Sequence, residues 1–542
     1  MRDRNELILA DLIAIRAEQR PDLDVLTFEH LSLDGGATPD EVRTFADLQT
    51  NANRIAAGLI AKGLRRGDRF AIMMRNHPEF VEAMVAASIT GGVFVPIDPR
   101  TRGDKLAYML GNSGCAGIIC ADYCLAEIDA VRRQLPDLKW VLALASSEAT
   151  GALLSFGGVE PLREILSKPA ATIDVRADSS DAPLQIMYTS GTTGDPKGIV
   201  GVNSRLCLAG MLGMLFNYQP DERPYTGLSF THGNAQSMTL MPSLSIALRA
   251  VISQRFTKSK LWDVCRHYGC TTFSILGGMA TAIYSEPAKP NDADNPVRVI
   301  VSGGMPAIIW EAFEKRFNVK ILELYGAMDG GGMAYKPVGQ GPVGSFGKPM
   351  PGLEMKILDT DGNECPPGVV GEICCRPAGG GEATVEYFGD PEASKKKVRG
   401  GWNRSGDMGH SDAEGWLFFD YRAGGGIRHN GDFINPSFVE KAIAEHPAVA
   451  DVFVYGVPAA SGAPGEKDVV AVVVPVTGNA FDPGSVFAVC RAKLEANFVP
   501  TYLQVIDEIP KTASEKPLER LLVDQFDPNA LNVFTPGEVP GQ

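Results

Sequence analysis

The ten-residue run Thr189-Ser-Gly-Thr-Thr-Gly-Asp-Pro-Lys-Gly198 constrains this chain more than any other stretch. It gathers four hydroxyl side chains (Thr189, Ser190, Thr192, Thr193), the glycines Gly191, Gly194 and Gly198, and the cation Lys197. The residues just before it, Gln185-Ile-Met-Tyr188, read as a strand end. Glycines let backbone N–H groups close round an anion, while hydroxyls and a lysine add donors and charge. Such a loop is a cradle for polyphosphate. It is not of the Walker type, because a proline precedes its lysine and no Gly-Lys-Ser/Thr closes it. A polar surface turn accounts for most short Gly/Thr runs, but an ordered run of this length asks for more.

At 542 residues the chain exceeds one ordinary hydrophobic core, so two or more domains are expected. A net charge of −14 argues against a nucleic-acid binder, which would present a basic face. The ten cysteines are scattered without Cys-x-x-Cys spacing, which predicts reduced thiols and a cytoplasmic setting and no zinc site. Asp11 and Arg16 interrupt the first apolar segment too early for a signal peptide, and runs such as Val469–Val474 are too short to span a membrane.

The first part of the chain alternates helix and strand patterns. Thr44 is placed to cap a helix running through Ala52, Ile55, Leu59 and Ile60. Arg69–Met74 reads as a buried strand, Pro78–Ala87 as a helix and Gly92–Ile97 as the next strand, with further strands around Ala116–Cys120 and Trp140–Leu144. That alternation predicts an α/β fold with mostly parallel βαβ sheets. Phe256–Tyr268 reads as a helix, and Thr271–Leu276 as a strand ending at Gly277-Gly278. Val297–Ser302 runs into Gly303-Gly304, and Ile321–Leu324 into Tyr325-Gly326. Ligands of open α/β sheets sit at such strand ends. The glycines Gly277, Gly278, Gly303, Gly304, Gly326 and Gly330–Gly332 either leave room for a wide, flat ligand or simply form tight turns. Ala423-Gly-Gly-Gly426 reads as a hinge between a large domain, 1–422, and a small α+β domain, 427–542.

The order of these motifs resembles the adenylate-forming superfamily: acyl-CoA ligases, luciferases and peptide-synthetase adenylation domains. Thr189–Gly198 is similar to its phosphate loop, Leu228-Ser-Phe-Thr-His-Gly-Asn-Ala-Gln236 to its acyl-pocket segment, and Tyr325-Gly-Ala-Met-Asp329 to its Tyr-Gly-x-Thr-Glu motif. Gly401-Trp-Asn-Arg-Ser-Gly-Asp407, Asp420-Tyr-Arg422 and Pro510-Lys-Thr-Ala-Ser-Glu-Lys516 continue the series. The loop Ile427–Gly431 resembles the version found in carnitine-CoA-ligase-like enzymes.

The resemblance implies a large AMP-binding domain and a small mobile domain that turns about 423–426. It implies that Thr189, Ser190, Gly191, Thr192, Thr193 and Lys197 hold phosphates. It further places Gly303, Gly304, Glu323, Leu324, Tyr325, Gly326, Met328, Asp407 and Arg422 at the nucleotide, with Tyr325 as an aromatic platform and Asp407 on the ribose. His232, Asn234, Gly277, Gly278, Gly304, Gly326, Ala327 and Gly332 would face the acid. Lys516, as the catalytic lysine, would be joined by His232 and Asp329 as catalytic residues, and Arg428, Asn430 and Gly431 would serve the thiol half-reaction. Asp329 stands where a metal-associated Glu is usual and is a hard oxygen ligand for Mg²⁺. Met328 and Glu515 replace the usual Thr and Gly.

The implied reaction is AMP-forming acid–CoA ligation from ATP, a carboxylic acid and coenzyme A, with an aromatic, alicyclic or carnitine-like acid. Positioning and charge stabilisation carry such chemistry, and no Ser/His or Cys/His pair is evident. Alternatives from the same superfamily are a stand-alone adenylation enzyme that loads a carrier-protein thiol, although no carrier module is expected after Lys516, and a luciferase-like oxygenase. A non-catalytic nucleotide-binding relative is the alternative of a different class. A homo-oligomer is compatible with all of these.

Overall fold

A computed structural model describes residues 3–146, 156–189, 196–422, 427–429, 432–434, 436–460, 467–478, 481–494, 498–512 and 515–537. The chain forms two compact units. One comprises Met1–Ser274, Asn291–Val301 and Glu386–Lys396; the other comprises Ile275–Pro290, Ser302–Val385 and Lys397–Gln542. The hinge residues 423–426 lie outside the described residues.

In the first unit the expected alternation builds a seven-stranded sheet. Its order is Val159–Pro161, Trp140–Leu144, Cys115–Ala121, Arg69–Met73, Val93–Pro96, Pro183–Thr189, Lys197–Val202. Every pair in it is parallel except the last. Buried on both faces, its strands are continuous apolar runs, as parallel sheets require. Crossover helices such as Pro78–Thr90 cover it, every residue of that helix being buried. The helix Phe45–Ala61 starts at Thr44 in a capping box: the Thr44 hydroxyl accepts from Asp47 N–H while the Asp47 carboxylate accepts from Thr44 N–H. The helix expected at Phe256 begins at Leu261 instead, because Thr257–Lys260 form a turn in which Thr257 C=O accepts from both Lys260 and Leu261.

The last two strands of this sheet matter most. Pro183–Thr189 and Lys197–Val202 are antiparallel, with Thr189 opposite Lys197. The two ends of the Thr/Gly loop are therefore stapled by strand pairing, and the loop is followed by a strand rather than by a helix N-terminus. Ser190, Gly191, Thr192 and Thr193 lie outside the described residues.

The second unit departs from parallel pairing. Lys320–Gly326 and Met333–Lys336 form an antiparallel pair round the turn 327–332, in register Glu323–Lys336, Leu324–Tyr335, Tyr325–Ala334 and Gly326–Met333. Antiparallel pairing then runs on through Ser345–Pro349, Leu417–Arg422, Trp402–Ser411, Gly371–Pro377 and Leu353–Leu358. Nearer the C-terminus, Val449–Pro458, Lys467–Pro475, Tyr502–Val505 and Val533–Phe534 make a four-stranded sheet. The helices Pro436–Ala444 and Pro483–Lys493 seal it with Val439, Ile443, Val486 and Phe487 in a common core with Val454, Ala471 and Leu503. Among the described residues no helix is long and apolar enough to cross a membrane.

Removing the Thr44 cap by Thr44→Ala should cost about 1 kcal/mol of stability. Chemical denaturation at constant m-value checks this, and an unchanged midpoint would show that packing alone sets the start of the helix.

Candidate active site

In the second unit, one buried carboxylate organises the strand ends. Glu323 accepts from Gly304 N–H at 2.5 Å and from Met305 N–H at 3.2 Å. It is 3% exposed, and burial pushes its carboxyl up to about 8, opposed by those two N–H groups and by Lys336. Lys336, its cross-strand partner, lays its ammonium over the Trp310 ring at 4.1 Å. The turn that Glu323 holds needs glycine at two points. Gly304 has φ +96°, and a Cβ on Gly277 would lie 2.4 Å from Gly304 O.

Next along the same strand, Tyr325 stacks on Phe346 with centroids 4.6 Å apart, and its hydroxyl donates to Asp407 Oδ2 at 2.7 Å. Asp407 N–H donates to Ser405 Oγ at 2.9 Å, and Ser405 Oγ donates in turn to Ile373 O at 2.6 Å. The aromatic platform and the ribose-type carboxylate expected from the sequence are thus one hydrogen-bonded pair. Arg422 is opposite Asp407 across the strand pair, its side chain outside the described residues.

Asp329 lies in the turn that follows. Its side chain is 12% exposed, and Lys397 Nζ sits 2.7 Å from its Oδ2. Lys397 also donates to Ser405 O at 3.0 Å, and Asn403 Nδ2 donates to Asp329 O at 2.9 Å. The turn is tight: Ala327 N–H donates to Gly332 O, and Gly330 N–H to Ala327 O. Gly332, expected to face the acid, instead packs against Met355 and Cys375, where an added Cβ would come within 2.9 Å and 3.0 Å. Among the described residues only Met333 Cε comes near a Cβ added at Gly326, at 3.9 Å, so they leave room at this position.

The Lys516 loop closes on itself. Thr512 N–H donates to Lys516 O at 2.7 Å and Lys516 N–H to Thr512 Oγ1 at 3.2 Å. Glu515 takes φ +59°, the left-handed conformation that glycine usually fills. Its carbonyl oxygen lies 3.3 Å from where a Gly278 Cβ would stand, so the loop lies beside the first turn of the helix Gly277–Tyr284, which follows directly on the strand Thr272–Leu276. The Lys516 side chain is exposed.

In the first unit, His232 and Asn234 lie in a turn pinned from two sides. Asn76, 1% exposed, donates to Leu228 O and Ser253 O, and its Oδ1 accepts from Phe230 N–H. Gln236 Nε2 donates to Phe230 O at 2.7 Å. Asn234 N–H donates to His232 Nδ1 at 3.3 Å. A π-helical stretch, Ala235–Leu240, follows, a geometry common at functional sites. Lys197 is exposed, its ammonium 5.2 Å from the centroid of the Tyr387 ring. Arg428 belongs to the short strand Ile427–His429, its side chain outside the described residues, as are Asn430 and Gly431. All ten cysteines are free and buried, and burial pushes thiols such as Cys115 and Cys124 up to about 12, far from a nucleophilic thiolate.

The strand ends, the Tyr325–Asp407 pair and the lysine loop occur on a sequence that matches the AMP-binding enzyme family over residues 13–381 and the AMP-binding enzyme C-terminal domain over 439–516. The chain belongs to the AMP-binding enzyme family. A curated relative, crotonobetaine/carnitine–CoA ligase of Salmonella typhi, is 26% identical over 485 residues, covering 88% of this AMP-binding enzyme and 92% of the relative. The fold is similar to that of the anthranilate CoA ligase AuaEII, solved with anthranoyl-AMP, at TM-score 0.82 and 21% identity, covering 95% and 96% of the two chains. It is also similar to a benzoate CoA ligase from Burkholderia xenovorans LB400, at TM-score 0.80 and 20% identity, covering 95% and 99%.

Two residues that hold these motifs in place carried little signal in the sequence. Lys397 ends a Lys395-Lys-Lys397 run that reads as a solvated surface, and Asn76 lies in an ordinary strand-to-helix turn. Glu323 stood among the expected nucleotide ligands, and the structure shows its carboxylate spent on backbone N–H groups. The residues at Asp329 do not fit a protein-anchored Mg²⁺ well. One carboxylate oxygen is taken by an ammonium, and among the described residues no group of three His, Cys, Asp or Glu side chains could hold a metal.

A protonated Glu323 gives this AMP-binding enzyme a pH signature. Unfolded, the carboxyl ionises near 4.5; folded, it keeps its proton to about 8. Its contribution to stability is full below pH 4.5 and is lost as pH rises to 8, by up to about 1.4 kcal/mol per pH unit. Glu323→Gln keeps an acceptor for Gly304 N–H and should flatten that slope. Denaturation midpoints at pH 5 and pH 8 measure it, and parallel slopes in the two proteins would show Glu323 ionised.

Proposed function

We propose that this chain is an ATP-dependent carboxylic acid–CoA ligase. The observation that carries the reading is the lysine loop 511–517, whose Glu515 carbonyl packs at Gly278 in the unit that also holds the Tyr325–Asp407 pair. The names of the relatives, all acid–CoA ligases, support the same reaction class.

In this reading the substrate carboxylate attacks the α-phosphorus of ATP, which enters as its Mg²⁺ complex. An acyl-adenylate forms and pyrophosphate leaves. The thiol of coenzyme A then attacks the acyl carbon and AMP departs. Both nucleophiles belong to the substrates, so the protein's task is alignment and compensation of charge. Tyr325, stiffened by Phe346 and tied to Asp407, is a flat surface for adenine. Asp407 is the carboxylate that accepts from the ribose hydroxyls. Lys516 and Lys197 offset the charge that builds on the departing pyrophosphate. Arg422 lies across the strand from Asp407 and adds positive charge at the ribose–phosphate junction. The small domain, 427–542, turns about 423–426, so that the Lys516 loop serves the first step and the Arg428–Gly431 loop the second. Ten buried free thiols suit a reducing, cytoplasmic setting.

The acid is read as compact and flat, aromatic or alicyclic. Support comes from the room at Gly326, with Gly277 and Gly332 committed to turn and packing roles. A panel of benzoates, cyclic acids, fatty acids and betaines with ATP, Mg²⁺ and coenzyme A, scored for AMP release, tests this. AMP release from fatty acids alone would overturn it, and release with no acid and thiol pair would sink the ligase reading.

Lys516→Ala should abolish acid-dependent pyrophosphate release and spare thioester formation from supplied acyl-adenylate, because its charge is needed only as pyrophosphate leaves. Unchanged pyrophosphate release would remove Lys516 from the reaction.

A further inference from the structure

The Asp329 carboxylate sits in the motif position where a relative would present an acid to a divalent ion, yet here it already has a cation. Lys397 Nζ lies 2.7 Å from Asp329 Oδ2, with the two side chains only 15% and 12% exposed. The ammonium is held from the other side as well, donating to Ser405 O at 3.0 Å. Asn403, 0% exposed, clamps the backbone of the same turn through Asp329 O. Ser405 Oγ accepts from Asp407 N–H, and Asp407 accepts from Tyr325. A single lysine thus ties the Asp329 turn to the strand that carries the ribose-type carboxylate. A lysine on a surface helix end would not be ordered by two acceptors in this way. A divalent ion bound to Asp329 at about 2.1 Å would share one carboxylate with that ammonium and would be repelled by it.

We propose that Lys397 is the resident cation of the nucleotide site. It neutralises Asp329 in place of a protein-anchored divalent ion and presents a fixed positive charge to the phosphate end of the nucleotide. Lys397 acts by position and charge, and takes no part in bond making. The consequence is that nucleotide binding depends weakly on Mg²⁺. A chain with a bare acid at this point would repel a metal-free triphosphate and would need the ion to bridge the two. The inference rests on the nucleotide reading of the Asp329 turn made above.

The test is calorimetric titration of the whole protein with α,β-methylene-ATP, in saturating Mg²⁺ and in EDTA. In the wild type the two affinities should stay close. Lys397→Met should widen the ratio by about tenfold, the loss of one charge-assisted contact in the metal-free state. Lys397→Arg, which keeps the charge, should stay near the wild-type ratio. Equal ratios in the wild type and Lys397→Met would overturn the proposal. A direct readout of the metal covers the case in which Lys397→Met fails to fold. Mn²⁺ titrated into the wild-type complex with the analogue, followed by electron paramagnetic resonance, should be held no more tightly than by the analogue alone, and tighter retention would overturn the proposal. Failure of the wild type to bind the analogue in either condition would instead bring down the nucleotide reading itself.

Discussion

Two backbone N–H groups donating to one buried carboxylate set the geometry on which the rest of the site depends. Glu323 fixes the Gly304–Met305 turn against its own strand, and Gly277 closes on that turn from the neighbouring strand end. Tyr325, two residues along and on the same face of the strand, stacks on Phe346 and donates to Asp407. A buried acid with satisfied acceptors is costly to break, because removing either partner leaves a polar group without water. The stiffness of the Tyr325 strand end is inherited from that cost.

How much of this was legible in the sequence depends on how local each feature is. The parallel sheet was readable because its strands are continuous apolar runs separated by helical periodicity, and both signals are contained in short windows. The capped start at Thr44 was legible for the same reason. The antiparallel sheet of the second unit was not, since its pairings join Ser345–Pro349 to Leu417–Arg422 across a long stretch of chain. Tyr325 and Asp407 were each singled out by their motifs. Their hydrogen bond to one another was not, because nothing in either motif encodes the other's position.

Lys397 shows the opposite limit. Composition places it in a run of three lysines, and runs of like charge are ordinarily solvated. Only the fold selects it from Lys395 and Lys396, by placing it beside Asp329 and a strand carbonyl. The glycines divide in a similar way. As letters, Gly326 and Gly332 offered the same two readings, open space or tight turn. One turns out roomy and the other packed against Met355 and Cys375. Small residues report that something comes close, and the fold decides whether it is a ligand or a side chain.

The residue before the lysine of the C-terminal loop carries a local cost. Glu515 holds φ +59° with a full side chain, a conformation that glycine takes freely and other residues take only under strain. The two hydrogen bonds between Thr512 and Lys516 hold the turn against that strain. The stretch that carries Lys516 is thus spring-loaded, and glycine at 515 would release it.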